Sequence, residues 1–128
     1  MSLSSIQTAI NTLVTTAGYT VSRAESAADI PAHRQGKDVV VRLTSDSTLR
    51  AGVDTLRLTV AGPVRLGLDV DTGHKSALTM GEAIRDALLG ASALATVSAR
   101  VVSVDVESEP TGTGSDMVIV SADIIALR

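Results

Sequence analysis

One stretch of the chain combines residue types that could bind a divalent cation. Asp69, Asp71 and His74 supply two carboxylates and an imidazole within six residues, and such donors suit a metal ion. No fourth ligand stands nearby, and Glu82 would have to reach back from the segment that follows. We therefore interpret the acidic residues as solubilising side chains beside a turn and predict no metal site.

The same stretch shares residue types with a phosphate-binding loop. The P-loop pattern is G-x-x-x-x-G-K-[ST], with the lysine directly after the second glycine. In Gly73-His74-Lys75-Ser76 a histidine separates these two residues, and five residues stand between Gly67 and Gly73. A polar loop before a helix explains this segment, and we expect no cofactor.

The rest of the composition offers little for catalysis. The chain has no Cys, which excludes a cysteine nucleophile and a thiolate metal site. A Ser-His-Asp triad would have to use His33 or His74, and no G-x-S-x-G segment supports it. Phe and Trp are absent, one Tyr is present and the net charge is −3, which argues against base-stacking platforms and basic DNA-coating proteins. We predict no catalytic residues and a protein that is not an enzyme.

Apolar residues at helical spacing predict two helices. The first spans about residues 3–17 and stops before Gly18, and the second spans about residues 77–89. Residues 24–37, broken by Pro31, predict a loop. These helices and the strands between them must position any functional side chain.

Alternation of apolar and polar residues predicts about five strands. They are Asp38–Thr44, Thr55–Ala61, Val64–Val70, Val101–Glu107 and Met117–Leu127, with a turn at Gly62-Pro63. The order α-β-β-β-α-β-β predicts one α+β domain over residues 1–128, with two helices on one face of an antiparallel sheet. The residues expected on the buried face are Val39, Val41, Leu43, Leu56, Leu58, Val60, Leu66, Leu68, Val102, Val104, Val118 and Val120.

The first helix carries an uncharged polar face. Thr8, Thr12, Thr15 and Thr16 lie opposite its apolar stripe, where an exposed helix usually carries Lys and Glu. Such a face is cheaper to bury against a partner than a charged one, because desolvating charges is costly. Two interpretations stay open. The face is buried in an interface, or it is exposed to solvent in a protein that tolerates this composition.

Charged residues on the non-core faces of the strands form a second candidate interface. Arg42, Arg57 and Arg65 are expected on three consecutive strands, and they lie near one another if those strands are neighbours. The acids Asp105, Glu107 and Asp123 are expected on the matching face of the last two strands. The arginines and acids could pair within one sheet or between subunits, where Arg is enriched. Near the end of the chain, Ile125 and Leu127 point off the core face, so we expect them to be exposed or covered by another chain. The predicted interface consists of the four threonines together with Arg42, Arg57, Arg65, Asp105, Glu107, Ile125 and Leu127.

The arrangement resembles the tail terminator proteins of long-tailed bacteriophages. The resemblance rests on the helix at Leu3–Ala17, the three strands after it, the segment Leu78–Leu89 and the closing strands Val101–Glu107 and Met117–Leu127. It covers most of the chain in size, element order and texture, without a short diagnostic motif. It implies an α+β subunit, without catalysis, that forms a hexameric ring around the DNA channel.

The resemblance also implies a location and partners. The protein would assemble in the host cytoplasm and reside in the virion tail or neck, capping the tail tube and joining it to the head. Its partners would be further copies of itself and the neighbouring tail tube and neck proteins. DNA would pass through without specific binding, and no membrane would be involved. The alternative is a small, non-enzymatic α+β binding or regulatory domain, with RNA as one candidate ligand.

Overall fold

The computed structural model describes residues 3–50, 52–65, 70–90, 92–112 and 114–127, without the side chains of residues 46–50, 70–75, 92 and 93. The α-helices are α1 (Leu3–Thr16) and α2 (Val70–Leu89). The strands are β1 (Thr20–Val21), β2 (Asp38–Arg50), β3 (Val53–Arg65), β4 (Ala99–Pro110) and β5 (Ser115–Leu127). Short 3-10 helices cover Ala27–Asp29, Ala32–Arg34 and Ser92–Val97.

The five strands in the described residues form one sheet with the order β1-β2-β3-β5-β4. β1 pairs with β2 in parallel, whereas the other neighbouring strands are antiparallel. The predicted α+β class with two α-helices is therefore confirmed, but the prediction of a purely antiparallel sheet is wrong because the sheet is mixed. The prediction missed β1 because two residues are too few to show alternation.

The predicted turn at Gly62-Pro63 does not exist, and one long strand, β3, runs through both residues. A Cβ atom on Gly62 would lie 2.8 Å from both the Asp38 carbonyl oxygen and Val39 Cγ1, so the close approach of β2 requires a glycine. The Pro63 carbonyl accepts a hydrogen bond from the Gly36 N–H at 2.8 Å, on the side where the β2–β3 ladder has already ended at Val40–Ala61. The N–H that proline lacks is therefore not needed for a ladder there.

The predicted strand Val64–Val70 is also wrong at its last residue. β3 ends at Arg65, residues 66–69 lie outside the described residues, and Val70 begins α2. The helix is therefore longer than the predicted 77–89, and the predicted order of elements does not hold. The apolar alternation through Val70 favoured a strand, but the apolar face of α2 packs on the sheet and tertiary packing overrides such local patterns.

Among the described residues, the predicted side-chain orientation holds except at one β-bulge. Val101 pairs with Ile124 and Ser103 with Asp123, which leaves Val102 as the extra residue. Val102 was expected to be buried, yet 53% of it is exposed. Of the other residues expected on the buried face, six are buried (Val39, Leu56, Leu58, Val60, Val118, Val120), Val41, Leu43 and Val104 are half-buried, and Leu66 and Leu68 lie outside the described residues.

The core lies between the sheet and the two α-helices. α1 contributes Ile6, Ile10 and Val14, and α2 contributes Ala77, Met80, Ile84 and Leu88. Gly81 allows α2 to approach the sheet, because a Cβ atom there would lie 2.5 Å from Val106 Cγ1. Since the described core has no Phe or Trp, aliphatic side chains fill it. None of the described helices is long and apolar enough to cross a membrane.

Candidate interface for assembly

The four threonines of α1 form an exposed surface whose hydroxyl donors are already used, and we call it the threonine face. Each hydroxyl donates to the carbonyl oxygen four residues earlier, at 2.9 Å from Thr8, 3.0 Å from Thr12, 2.9 Å from Thr15 and 2.8 Å from Thr16. Because each hydroxyl proton already has a carbonyl acceptor in the same helix, no unsatisfied donor lies beside the threonine methyl groups. The threonine face can therefore be covered by a protein partner without leaving a buried donor unpaired.

The sheet face that points away from the helices, which we call the outer face, carries most of the predicted charged residues. Arg57 lies directly opposite Asp123, and their side chains form an ion pair with an Nη2–Oδ1 distance of 3.4 Å. Of the two alternatives, pairing within one sheet and pairing between subunits, Arg57 follows the first. Arg42 instead donates from Nη2 to the Glu25 carbonyl oxygen at 3.1 Å.

Arg65 does not join the other two arginines. It lies at the end of β3, on the same strand as Arg57 rather than on a third strand, and eight residues of a strand span roughly 26 Å. It has no hydrogen-bond or ion-pair partner in the described part of the chain. The expectation of three neighbouring arginines failed because the turn that would have separated their strands is absent.

The predicted acids lie at the opposite edge of the sheet from Arg42. Asp105 pairs across the ladder with Ser121, and Glu107 pairs with Ile119. Arg42 pairs with Thr59, which in turn pairs with Ser121. Arg42 and Asp105 therefore end the same row, about 14 Å apart across three strand spacings. Within the described residues neither acid has an ion-pair partner, and one chain cannot bring them to Arg42.

Two grooves indent the outer face. One, of about 310 Å³, is lined by Ala95, Ser98, Ala99, Arg100, Ile125 and Leu127. Ile125 is half-buried there, and Leu127 is 54% exposed. The other, of about 380 Å³, lies beneath the 3-10 helix Ala27–Asp29 and includes Val40, Ala61, Met117 and Ile119. This second groove was not predicted from the sequence, although its apolar residues occupy non-core positions of their strands.

β1 and the neighbouring 3-10 helix Ala32–Arg34 cover only the first part of the β2 edge. Arg34 donates from Nη2 to the Asp38 carboxylate at 2.6 Å and from Nε at 3.0 Å. This hydrogen bonding, together with the nearby negative charge, raises the pKa of the Arg34 guanidinium. The contact holds the 3-10 helix Ala32–Arg34 against the start of β2, beside β1. Beyond Val39 the edge of β2 has no strand partner among the described residues.

The residues first considered for metal or phosphate binding lie around the start of α2. Asp69 is outside the described residues, and the side chains of Asp71 and His74 are not described. The backbone of Gly73-His74-Lys75-Ser76 is helical, so the predicted loop is wrong and the backbone amides cannot cradle a phosphate as a P-loop does. In the described residues, no three His, Asp or Glu side chains are grouped to hold a metal ion.

No protein-family model matches the chain, and no curated protein matches its sequence significantly.

Proposed function

We propose that the protein is a structural virion protein: a ring-forming tail terminator or neck connector that caps the tail tube of a long-tailed phage and joins it to the head. The observation that carries the proposal is the threonine face of α1, an exposed surface whose hydroxyl donors are satisfied within the helix. A surface of this kind suits burial in an assembly. The resemblance in size and texture to tail terminators supplies the kind of assembly.

A ring requires two different surfaces on each subunit. Contacts between unlike surfaces run head to tail and close into a ring when the rotation between subunits allows it. Arg42 and Asp105 lie at opposite edges of the sheet, so the subunit offers unlike surfaces on two sides. The expected ring is a hexamer, as in the family that the chain resembles.

The charge balance fits a channel through which DNA passes. Affinity for phosphates comes from Lys and Arg, and this chain has a net charge of −3. DNA would therefore move through the ring without specific binding. The protein would act in the virion, between the tail tube and the neck proteins, after assembly in the host cytoplasm.

Native mass spectrometry and negative-stain electron microscopy of the purified protein test the ring. We expect a closed ring of several copies with a central opening wide enough for duplex DNA. A protein that stays monomeric at all accessible concentrations would contradict the ring. Binding of the rings to the ends of tail tubes from the same phage, seen in micrographs, tests the capping role.

The threonine face is tested by adding one charge to it. Thr12→Lys should weaken assembly or capping, because the new ammonium group would have to be desolvated in the contact. Thr79→Lys, the same change at an exposed position of α2, is the matched control. Equal behaviour of the two variants would show that the threonine face is not buried in the assembly.

The alternative function is a small binding or regulatory domain. The 380 Å³ groove beneath Ala27–Asp29 favours it, because apolar side chains and one guanidinium, that of Arg42, line a single cleft. Fluorescence anisotropy with labelled single-stranded RNA tests the RNA-contacting form of this alternative. A monomer that binds RNA would support it over the ring.

A further inference from the structure

Two edges of the sheet carry backbone groups that the described chain does not pair. Thr20 N–H donates to the Lys37 carbonyl oxygen at 2.9 Å, and Ser22 N–H donates to that of Val39 at 2.7 Å. Odd-numbered residues at this end of β2 therefore point their backbone groups away from β3. Because this direction alternates along a strand, Val41 and Leu43 present their N–H and C=O groups at an edge that β1 no longer covers.

The edge formed by β4 also carries unpaired backbone groups. Thr111 N–H donates to the Ser115 carbonyl oxygen at 3.0 Å, and the register of the ladder continues this pairing to Glu109, Glu107, Asp105 and Ser103. The residues between them direct their backbone groups away from β5. Val104, Val106 and Ser108 therefore present free backbone groups along the outer side of β4.

The strand directions allow these two edges to pair between copies. Along the sheet, β2, β3, β5 and β4 alternate in direction, so β4 and β2 run in opposite directions. When a second copy is placed beside the first without inversion, its β2 is antiparallel to β4 of the first. The contact continues the alternation of the sheet and leaves a free β4 edge for the next copy.

We propose that β4 of one subunit pairs with β2 of the next, with Val106 opposite Val41, Asp105 opposite Arg42 and Val104 opposite Leu43. This inference rests on the proposed ring and names the contact that closes it. The pairing covers Val41–Thr44 of one copy and Ser103–Val106 of the next. From Ser108 onwards β4 must bend away, because β1 of the neighbouring copy occupies the β2 edge at Asp38 and Val39. The occupant of each edge is thus a second copy of this chain.

The side chains on the helix side support this register. Val41 and Leu43 on β2, and Val104 and Val106 on β4, are half-buried apolar residues packed against the core. They lie at the two edges of the core, where the sheet ends. In the proposed register each of these side chains packs against an apolar side chain of the neighbouring subunit, Val41 against Val106 and Leu43 against Val104. A shift of two residues would instead place Val41 opposite Ser108.

Charge complementarity on the outer face supports the same register. Arg42 and Asp105 end the same row at opposite edges of one subunit, so the contact brings the guanidinium of one copy to the carboxylate of the next. Glu107 lies diagonally from Arg42 in this pairing and is within reach of a long side chain. The Arg42 contact to the Glu25 carbonyl uses only one of its donor groups.

The same charges oppose pairing between identical edges. Asp105, Glu107 and Glu109 give β4 a row of acids, and two antiparallel β4 strands would bring like charges together. Charged side chains on an edge strand are a known means of preventing such contacts. Repulsion between like charges therefore disfavours pairing of two β4 edges, whereas the acids of β4 attract an edge that carries an arginine.

Charge swaps test the pairing of Arg42 with Asp105. Arg42→Asp and Asp105→Arg should each weaken assembly about tenfold or more at low salt, measured by light scattering as the concentration of half-assembly. Mixing equal amounts of the two variants should restore assembly, because alternating copies then pair Asp with Arg at every contact. Unchanged assembly of each variant, or failure of the mixture, would overturn the proposed pairing. Thermal unfolding checks that both variants are folded.

Disulfide trapping gives a second test, which keeps Arg42 and Asp105 in place. The chain has no Cys, and in the proposed register Thr44 lies opposite Ser103 of the neighbour. Oxidation of the variant that carries both Thr44→Cys and Ser103→Cys should give a ladder of linked chains. An intrachain bond is excluded, because these positions lie about 14 Å apart across three strand spacings. Thr44→Cys with Glu109→Cys is the control and should not link.

The outcomes separate this proposal from the proposed function. If the wild type forms rings in native mass spectra but the Thr44→Cys, Ser103→Cys variant forms no ladder, the edge pairing is wrong and the ring remains. If the wild type is monomeric, both proposals fail. Rings together with a ladder that stops at the ring number would support both.

Discussion

Arg57 on β3 and Asp123 on β5 lie directly opposite each other and form an ion pair within the chain, with an Nη2–Oδ1 distance of 3.4 Å. Arg42, on the neighbouring strand β2, lies at the edge of the sheet and reaches no carboxylate in the described part of the chain. Two arginines on the same sheet face therefore have different electrostatic settings. Substitutions at these positions should have different consequences.

Replacing Arg57 should have little effect. Both side chains of its ion pair are exposed, and such pairs contribute about 0–1 kcal/mol. Arg57→Ala should therefore lower the free energy of unfolding by less than about 1 kcal/mol in urea titrations followed by circular dichroism. It should also leave assembly unchanged, in contrast to Arg42→Asp. Loss of assembly on Arg57→Ala would show that the interface includes the centre of the outer face.

Leu58 tests the packing of a core that lacks large aromatic residues. Its side chain is fully buried between the sheet and the helices. Leu58→Ala should lower the free energy of unfolding by about 2–5 kcal/mol, since it removes apolar contacts and leaves a cavity. Glu82→Ala, at an exposed position of α2, should change it by less than about 0.5 kcal/mol. A loss below 1 kcal/mol at Leu58 would contradict the described core.

Gly81 tests the close approach of α2 to β4. Alanine normally favours a helix over glycine by about 1 kcal/mol, but here its Cβ would lie 2.5 Å from Val106 Cγ1. Overpacking of this kind costs about 1–3 kcal/mol, so Gly81→Ala should destabilise the protein in thermal unfolding. In a Val106→Ala background, where the conflicting methyl is absent, it should become neutral or stabilising. Equal losses in both backgrounds would show that the contact with Val106 is not the cause.

The β-bulge on β4 can be tested by making one substitution at two valines. Val102 is exposed at the bulge, whereas Val120 on β5 is fully buried. Val→Thr preserves the shape but adds a hydroxyl that costs about 1–3 kcal/mol when it is buried without a partner. Val120→Thr should show this loss in urea titrations, whereas Val102→Thr should show almost none. A comparable loss at Val102 would place it in the core, as its alternation with Ser103 first predicted.

Local elements whose pattern repeats over several residues could be predicted from the amino-acid sequence alone. The helical spacing of α1 and the alternation along β5 are visible in one segment of chain, because burial of one face imposes a period of 3.6 or 2 residues. The threonine face was found in the same way. The hydrogen bonds that satisfy its hydroxyl groups follow from the helix geometry itself.

Which segments meet could not be predicted in this way, because it depends on contacts between distant parts of the chain. Gly62-Pro63 looks like a turn locally, but the approach of Asp38 and Val39 makes it part of a strand. The bulge at Val102 depends on the register between β4 and β5. Strand order, a long-range property, places Arg42 and Asp105 at opposite edges of one row, where a single chain cannot pair them. Periodicity reports burial of one segment, whereas register and order arise from contacts between residues far apart in the chain.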